Sequence, residues 1–451
     1  SRGLGDVYKR QHMSDVKFSP FVPKGTVNVP PSKSDVHRAI ICAAMANGVS
    51  RISPVALSND IKATIGCIKA LGADAVLENN VLTVDGTNMY KNKTALLDCG
   101  ESGSTLRFFI PIAAVGNINA IFVGKGKLPQ RPIGIFTEAL PKAGTVCKTE
   151  GGLPLEIKGQ LKSGIFEIPG NVSSQFITGL LLALPILEGD SEIVLTSPLE
   201  SVGYIAMTIR TMKQFGVNIQ ATEKGWHIKG GQSYKTCDYT TDGDWSQAAF
   251  FMVLGAVSGK VTVKGVAKDS TQGDKKCAEI LARFGAKVTQ LDNEVTVEKG
   301  ELKAITIDAS QIPDLVPVLS VCAAFAEGTT KIINAERLRI KECDRLKATA
   351  ELLNNLGGKV KELSDGLEIT GVSSLKGGNV NGYNDHRIVM SAAVCAARSD
   401  EDITATFAMS INKSYPDFYI DYNSIGGKAN VLDLRLSLIH ISEPTRLDVI
   451  S

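Results

Sequence analysis

The sequence predicts an α/β protein of two domains, assembled from six copies of one helix-strand unit, and three observations carry that prediction. Six amphipathic helix patterns run into six glycines at nearly constant step: Gly72, Gly144, Gly216, Gly285, Gly357 and Gly427, spaced 72, 72, 69, 72 and 70 residues apart. Each unit also carries a second helix that is apolar almost all round and therefore belongs inside. The polar residues of these second helices gather in their first turns. The chain of 451 residues exceeds the roughly 250–300 at which a single core stops growing, so six units divide three and three.

Within a unit the order is helix, glycine C-cap, strand, polar turn, strand, clearest in 62–86, 277–300 and 348–371. The second helices open at SKSD (32–35), ESGS (101–104), SSQ (173–175), DWSQ (244–247), PD (313–314) and NDHR (384–387). Free N–H groups and a partial positive charge make such starts anion sites, and Lys33, Arg38, Arg107, Arg131, Lys341, Arg345, Arg387 and Lys413 lie in or beside them. One isolated Ser-Lys-Ser reads as a solvated cap. Six starts in register point to a small, multiply anionic ligand.

Residues Val16 to Val29 alternate like a hairpin, while the last unit, Tyr419 to Leu432, runs short of strands. The hairpin is expected to complete that unit, giving a discontinuous domain of 13–31 and 242–435 around a continuous insert of 32–241. Crossings near Pro30-Pro31 and Thr241-Asp242 would form a hinge beside a cleft. The two cationic half-sites are expected to close on an anion that bridges them.

Net charge of +2 argues against bulk attraction to nucleic acid or membrane, and a nucleic-acid site would need aromatics interleaved on a basic stripe. Nine scattered cysteines, without a Cys-x-x-Cys or a Cys/His cluster, read as reduced thiols of a cytoplasmic protein, not as metal ligands. The ends look foreign. Asp6 to Gln11 and Leu436 to Ile441 can be encoded by reverse-complementary strings resembling a sequencing adapter, so 1–12 and 436–451 are set apart from the fold and expected to be dispensable.

An ordered set of motifs resembles the 5-enolpyruvylshikimate-3-phosphate synthase family. The set is Pro31-Ser32-Lys33-Ser34 with Arg38, Gly103-Ser104-Thr105-Leu106-Arg107, Arg131-Pro132-Ile133, Ser173-Ser174-Gln175, Ile312-Pro313-Asp314, Ile340 to Arg345 (IKECDR), Asn384-Asp385-His386-Arg387 and Lys413 to Asp417 (KSYPD). The resemblance implies a two-domain inside-out α/β barrel with three units per domain. It implies transfer of the carboxyvinyl group of phosphoenolpyruvate to the 5-hydroxyl of shikimate 3-phosphate through a tetrahedral intermediate. No metal and no cofactor are implied, and a monomer acting on small molecules is expected.

Carried over residue by residue, the resemblance places phosphoenolpyruvate on Lys33, Gly103, Arg131, Gln175, Arg345, Arg387 and Lys413. It places shikimate 3-phosphate on Lys33, Ser34, Arg38, Ser173, Ser174, Gln175, Ser201, Tyr204, Asp314 and Lys341. Planar Arg forks and Lys point charges suit a phosphate-carboxylate dianion. Addition across the vinyl group needs one proton delivered and one removed, for which Asp314 and Glu342 are the two candidates, Asp314 as base and Glu342 as acid or the reverse, with Lys33 stabilising developing charge. Read alone, Asp314 is an ordinary N-cap after Pro313, Glu342 a surface ion-pair partner, and His386 a packing residue. Two positions depart from the pattern: Arg337 and Glu101 stand where many and some members, respectively, have Asn.

The resemblance also implies competitive inhibition by glyphosate. A UDP-N-acetylglucosamine enolpyruvyl transferase would place a reactive cysteine in the loop Gly124 to Pro132, and GKGKLPQRP has none.

Overall fold

The computed structural model describes residues 14–432, and the adapter-like ends fall outside them. Six four-stranded sheets are present, each with one parallel pair followed by antiparallel neighbours. Two hydrophobic cores form, one from Val16, Phe18, Val27 and residues between Trp245 and Ile425, the other from residues between Val36 and Tyr239.

The six apolar helices fill the interior: Lys33–Met45, Gly103–Val115 and Ser174–Ala183 in one core, Trp245–Val257, Val316–Ala323 and His386–Cys395 in the other. All thirteen residues of Trp245–Val257 are buried, as a helix apolar on every face requires. Five of the six starts are capped by the residues anticipated. Ser32, Ser102, Ser173, Asp244 and Asp385 each accept a backbone N–H from the first turn. The fifth start instead opens with a 3₁₀ turn, Pro313–Leu315, whose N-cap residue Ile312 has no side-chain acceptor.

The amphipathic helices end in left-handed glycines at 72, 144, 216, 285 and 357. The sixth does not end at Gly427. Gly426 adopts the left-handed conformation there, and Gly427 follows it with Tyr422 packed against its Cα.

The N-terminal hairpin does not form. Asp15–Phe18 pairs antiparallel with Ile403–Ala405 and Ala429–Leu432, completing the last unit, whereas Lys24–Asn28 joins a different sheet, parallel to Lys260–Lys264. Alternation reports one buried face per strand and is silent on the neighbour. Asp238–Thr240 likewise returns to pair with Val49–Ser53.

The two crossings lie side by side and are hydrogen-bonded to each other. Ser32 N donates to Asp242 O (2.7 Å) and Asp244 N donates to Pro30 O (3.0 Å). The fully buried Asp35 carboxylate accepts from Tyr239 Oη (2.6 Å) and Asp242 N (3.0 Å). This joint brings the helix starts of both cores face to face.

Candidate active site

One cavity between the cores, with about 750 Å³ of empty space partly open to solvent, collects residues from five of the six helix starts. It is lined by Lys33, Ser34, Arg38, Gly103, Arg131, Ser173, Ser174, Gln175, Ser201, Tyr204, Asp314, Lys341, Glu342, Arg345 and Arg387. Lys413 and Arg107, also singled out from the sequence, do not line it.

The insert supplies one wall. Lys33 Nζ donates to Asp60 Oδ2 at 2.7 Å, and Arg38 is held by Thr208 Oγ1 (2.7 Å) and Ser34 O (2.6 Å). Helices Gly103–Val115 and Ser174–Ala183 pack closely because Gly179 has no side chain. A Cβ there would stand 2.4 Å from Arg107 O. The approach lets Arg107 Nη1 donate to Gln175 Oε1 (2.6 Å) while Gln175 Nε2 donates to Ser104 Oγ (2.9 Å), which fixes the amide. Gly103 lies against the Arg131 guanidinium, whose Nη1 would be 2.6 Å from an added Cβ.

The opposite wall is a cluster of alternating charge. Asp314 receives Tyr204 Oη (2.8 Å) and Arg345 Nη1 (3.0 Å), with Lys341 Nζ at 3.7 Å and Arg387 Nη2 at 3.8 Å. Arg345, almost fully buried, also meets Glu342 Oε2 (2.7 Å) and grips both oxygens of Asp385 (2.8 and 3.2 Å). Arg131 reaches Glu342 from the insert at 3.9 Å.

These contacts set the charge states. Burial pushes the Asp314 carboxyl up, but Lys341, Arg387 and Arg345 together hold it well below the usual carboxylate range. Glu342 is pushed up by burial and pulled further down by Arg345 and Arg131, so it too is ionised. Burial lowers Lys341 to about 8 against the pull of Asp314. His386 is buried and driven well below its ordinary value, hence neutral, and Tyr204 is driven well up and keeps its proton.

Several partners were not anticipated. Asp60, the counter-ion of Lys33, sits in the first turn of the amphipathic helix Asn59–Leu71, where an acidic residue reads as ordinary helix chemistry. Asp385 serves at once as helix cap and as the fork for Arg345. Lys413 Nζ is taken by Glu101 Oε2 (2.7 Å) and by Asn384 O (2.5 Å). Arg337, the other departure, lines the cavity and bridges the cores, donating to Ser201 Oγ (2.9 Å) with Nε 2.6 Å from Glu200 Oε2. Among the described residues no group of three or more His, Cys, Asp or Glu is placed to hold a metal ion, and no helix is long and apolar enough to cross a membrane.

Residues 22–421 match the family model described as EPSP synthase (3-phosphoshikimate 1-carboxyvinyltransferase). The chain is 45% identical over 426 residues to the 3-phosphoshikimate 1-carboxyvinyltransferase of Clostridium novyi, covering 92% of this chain and 98% of that one. It is 46% identical over 421 residues to the enzyme of that name from Clostridium acetobutylicum, at the same coverage. The EPSP synthase structure from Acinetobacter baumannii superposes with a TM-score of 0.79 at 26% identity, over 93% of this chain and all of that one.

Proposed function

This chain belongs to the EPSP synthase family, and from that premise we propose that the interdomain cavity is its active site, with each residue in the role given below. The reaction moves the carboxyvinyl group of phosphoenolpyruvate to the 5-hydroxyl of shikimate 3-phosphate and releases phosphate. The single observation that carries the site reading is the convergence of five helix starts and their cations on one cavity.

Lys33, Arg131, Gln175, Arg345 and Arg387 bind the phosphate and carboxylate of phosphoenolpyruvate, with the Gly103 backbone against the phosphate. Lys413 contributes from behind, through its pairing with Glu101. Ser34, Arg38, Ser173, Ser174, Ser201, Tyr204 and Lys341 hold shikimate 3-phosphate. Asp314 takes the proton of the attacking hydroxyl. Glu342 gives a proton to the vinyl methylene and recovers one as phosphate leaves the tetrahedral intermediate. An ionised Glu342 must first gain that proton. The substrate supplies the means, because its anions compete for Arg131 and Arg345, and a carboxylate that loses counter-ions in a buried site rises in pKa.

The division into 13–31 with 242–435 and 32–241 belongs to the same proposal, as does a monomer working in the cytoplasm on small molecules alone. Both walls of the site come from one chain, and all nine cysteines are free. Phosphate release from the two substrates together, and from neither alone, is the experiment that tests the reading. No release would reject it.

The Lys341 ammonium leads to a pH prediction. Its charge is present below about 8 and is lost as pH rises through that value, so the phosphate of shikimate 3-phosphate loses a cation. kcat/KM for shikimate 3-phosphate should therefore fall between about pH 7 and about pH 9. A flat profile over that interval contradicts the assignment.

Gly103→Ala should weaken glyphosate more than phosphoenolpyruvate. The methyl meets the Arg131 guanidinium, which can give way, and overpacking of this kind typically costs about 1–3 kcal/mol. The longer ligand suffers first. Comparing the inhibition constant with KM for phosphoenolpyruvate decides it, and equal changes refute the steric argument.

A further inference from the structure

Glu101 lies two residues before Gly103, in the turn that leads from strand Thr94–Asp98 into helix Gly103–Val115 of the insert. Lys413 closes the 3₁₀ segment Ala408–Lys413, whose Ile411 packs in the opposite core. The two residues are 312 positions apart, yet Lys413 Nζ donates to Glu101 Oε2 at 2.7 Å. Asn384 Nδ2, also from the Lys413 side, donates to the same oxygen at 3.1 Å. Both ends are largely withdrawn from water, with side-chain exposures of 6% for Lys413 and 17% for Glu101.

The seat for this carboxylate is shaped by a backbone position that excludes a side chain. At Gly126, left-handed with φ +59°, a Cβ would stand 2.4 Å from Glu101 Oε2. The same loop leads on to Arg131. An ammonium has three N–H donors, of which Glu101 and Asn384 O use two. A pair shielded from solvent is screened less than one on the surface, loss of one partner leaves the other charge uncompensated, and this pair needs no ligand atom to form.

We infer that Glu101 is a positioning residue: its carboxylate ties Lys413 across the hinge, draws the domains together, and sets the ammonium beside the phosphoenolpyruvate site before that substrate binds. The inference rests on the reading above only in taking that site as the one for phosphoenolpyruvate. Glu101 stands where some members of the family have Asn, so this chain carries part of its closing force within itself.

The test uses the full chain and the variants Glu101→Gln, Lys413→Met, the double variant, and the charge-exchanged pair Glu101→Lys with Lys413→Glu. Small-angle scattering without substrates should show expansion in each single variant, with the open-to-closed ratio rising roughly tenfold. The double variant should expand no further, because both changes break one contact. The exchanged pair should restore the compact profile without restoring KM for phosphoenolpyruvate, since Glu at 413 repels that dianion. Glu101→Gln alone should raise KM for phosphoenolpyruvate and leave KM for shikimate 3-phosphate nearly unchanged. An unaltered scattering profile in Glu101→Gln, or expansions that simply add in the double variant, would overturn the inference. If the exchanged pair does not fold, the cycle of single and double variants still decides. Failure of the wild-type chain to release phosphate would reject the functional reading and leave the scattering result standing by itself.

Discussion

Replacing Asp314 with Asn or Glu342 with Gln is expected to lower kcat by about 10²–10⁴-fold, the usual contribution of a positioned proton-transfer group, while changing substrate affinity much less. Both substitutions keep shape and remove only the titrating oxygen. Asp314 is surrounded by Tyr204, Arg345, Lys341 and Arg387, and its amide replacement can still accept the Tyr204 hydroxyl. Glu342 stands between Arg345 and Arg131, one from each domain. Its Gln variant removes a charge that holds those two guanidinium groups, so KM for phosphoenolpyruvate is expected to move in this variant more than in Asp314→Asn. Steady-state kinetics at saturating substrate tests both. Near-normal kcat in either variant removes that residue from its assigned role.

Arg345→Met is expected to be the most damaging single change to the fold. The guanidinium neutralises three carboxylates at once, Asp314, Glu342 and Asp385, and two of its nitrogens grip Asp385 at a site with no exposure to water. Removing one partner of a buried pair leaves the other charge uncompensated, at a cost of about 3–5 kcal/mol. Asp385 is also the N-cap of helix His386–Cys395, so the loss reaches the core of that domain. Denaturant unfolding should show a lowered midpoint with an unchanged slope. Arg345→Lys should recover little, because a point charge cannot reproduce the two-pronged contact. A midpoint within experimental error of the wild type would contradict this account.

The structure alters one expectation about charge. From sequence, the two half-sites appear as collections of Lys and Arg that repel until an anion bridges them. In the folded chain the carboxylates Asp60, Glu101, Asp314 and Glu342 stand among those cations, and two of them pair across the cleft, Glu101 with Lys413 and Glu342 with Arg131. The cleft is a lattice of alternating sign. On the proposed reading, anionic substrates would enter it by exchange with these carboxylates, and the repulsion that would hold the halves apart is correspondingly reduced.

The sequence by itself determined whatever depends on residues a few positions apart. Five of the six glycines that end the amphipathic helices, the five side-chain caps Ser32, Ser102, Ser173, Asp244 and Asp385, and the apolar helices are local features, set by residues two to four positions apart. Lys33, Arg38 and Arg387 were legible for the same reason, since each lies in or beside such a start, whereas Arg131, Lys341, Arg345 and Lys413 lie outside those turns and stood out only as parts of the ordered motifs. Tertiary structure alone decided the partners. Asp15–Phe18 and Lys24–Asn28 alternate alike yet enter different sheets, because strand alternation carries no address. Asp60 with Lys33, Asp385 with Arg345 and Glu101 with Lys413 are separated by 27, 40 and 312 positions, and no local pattern relates them. The charge states of Asp314, Glu342 and Lys341 were decided at the same level, because a pKa in a closed cleft follows from burial and from which opposite charge lies within a few ångströms, both of which exist only once the chain has folded.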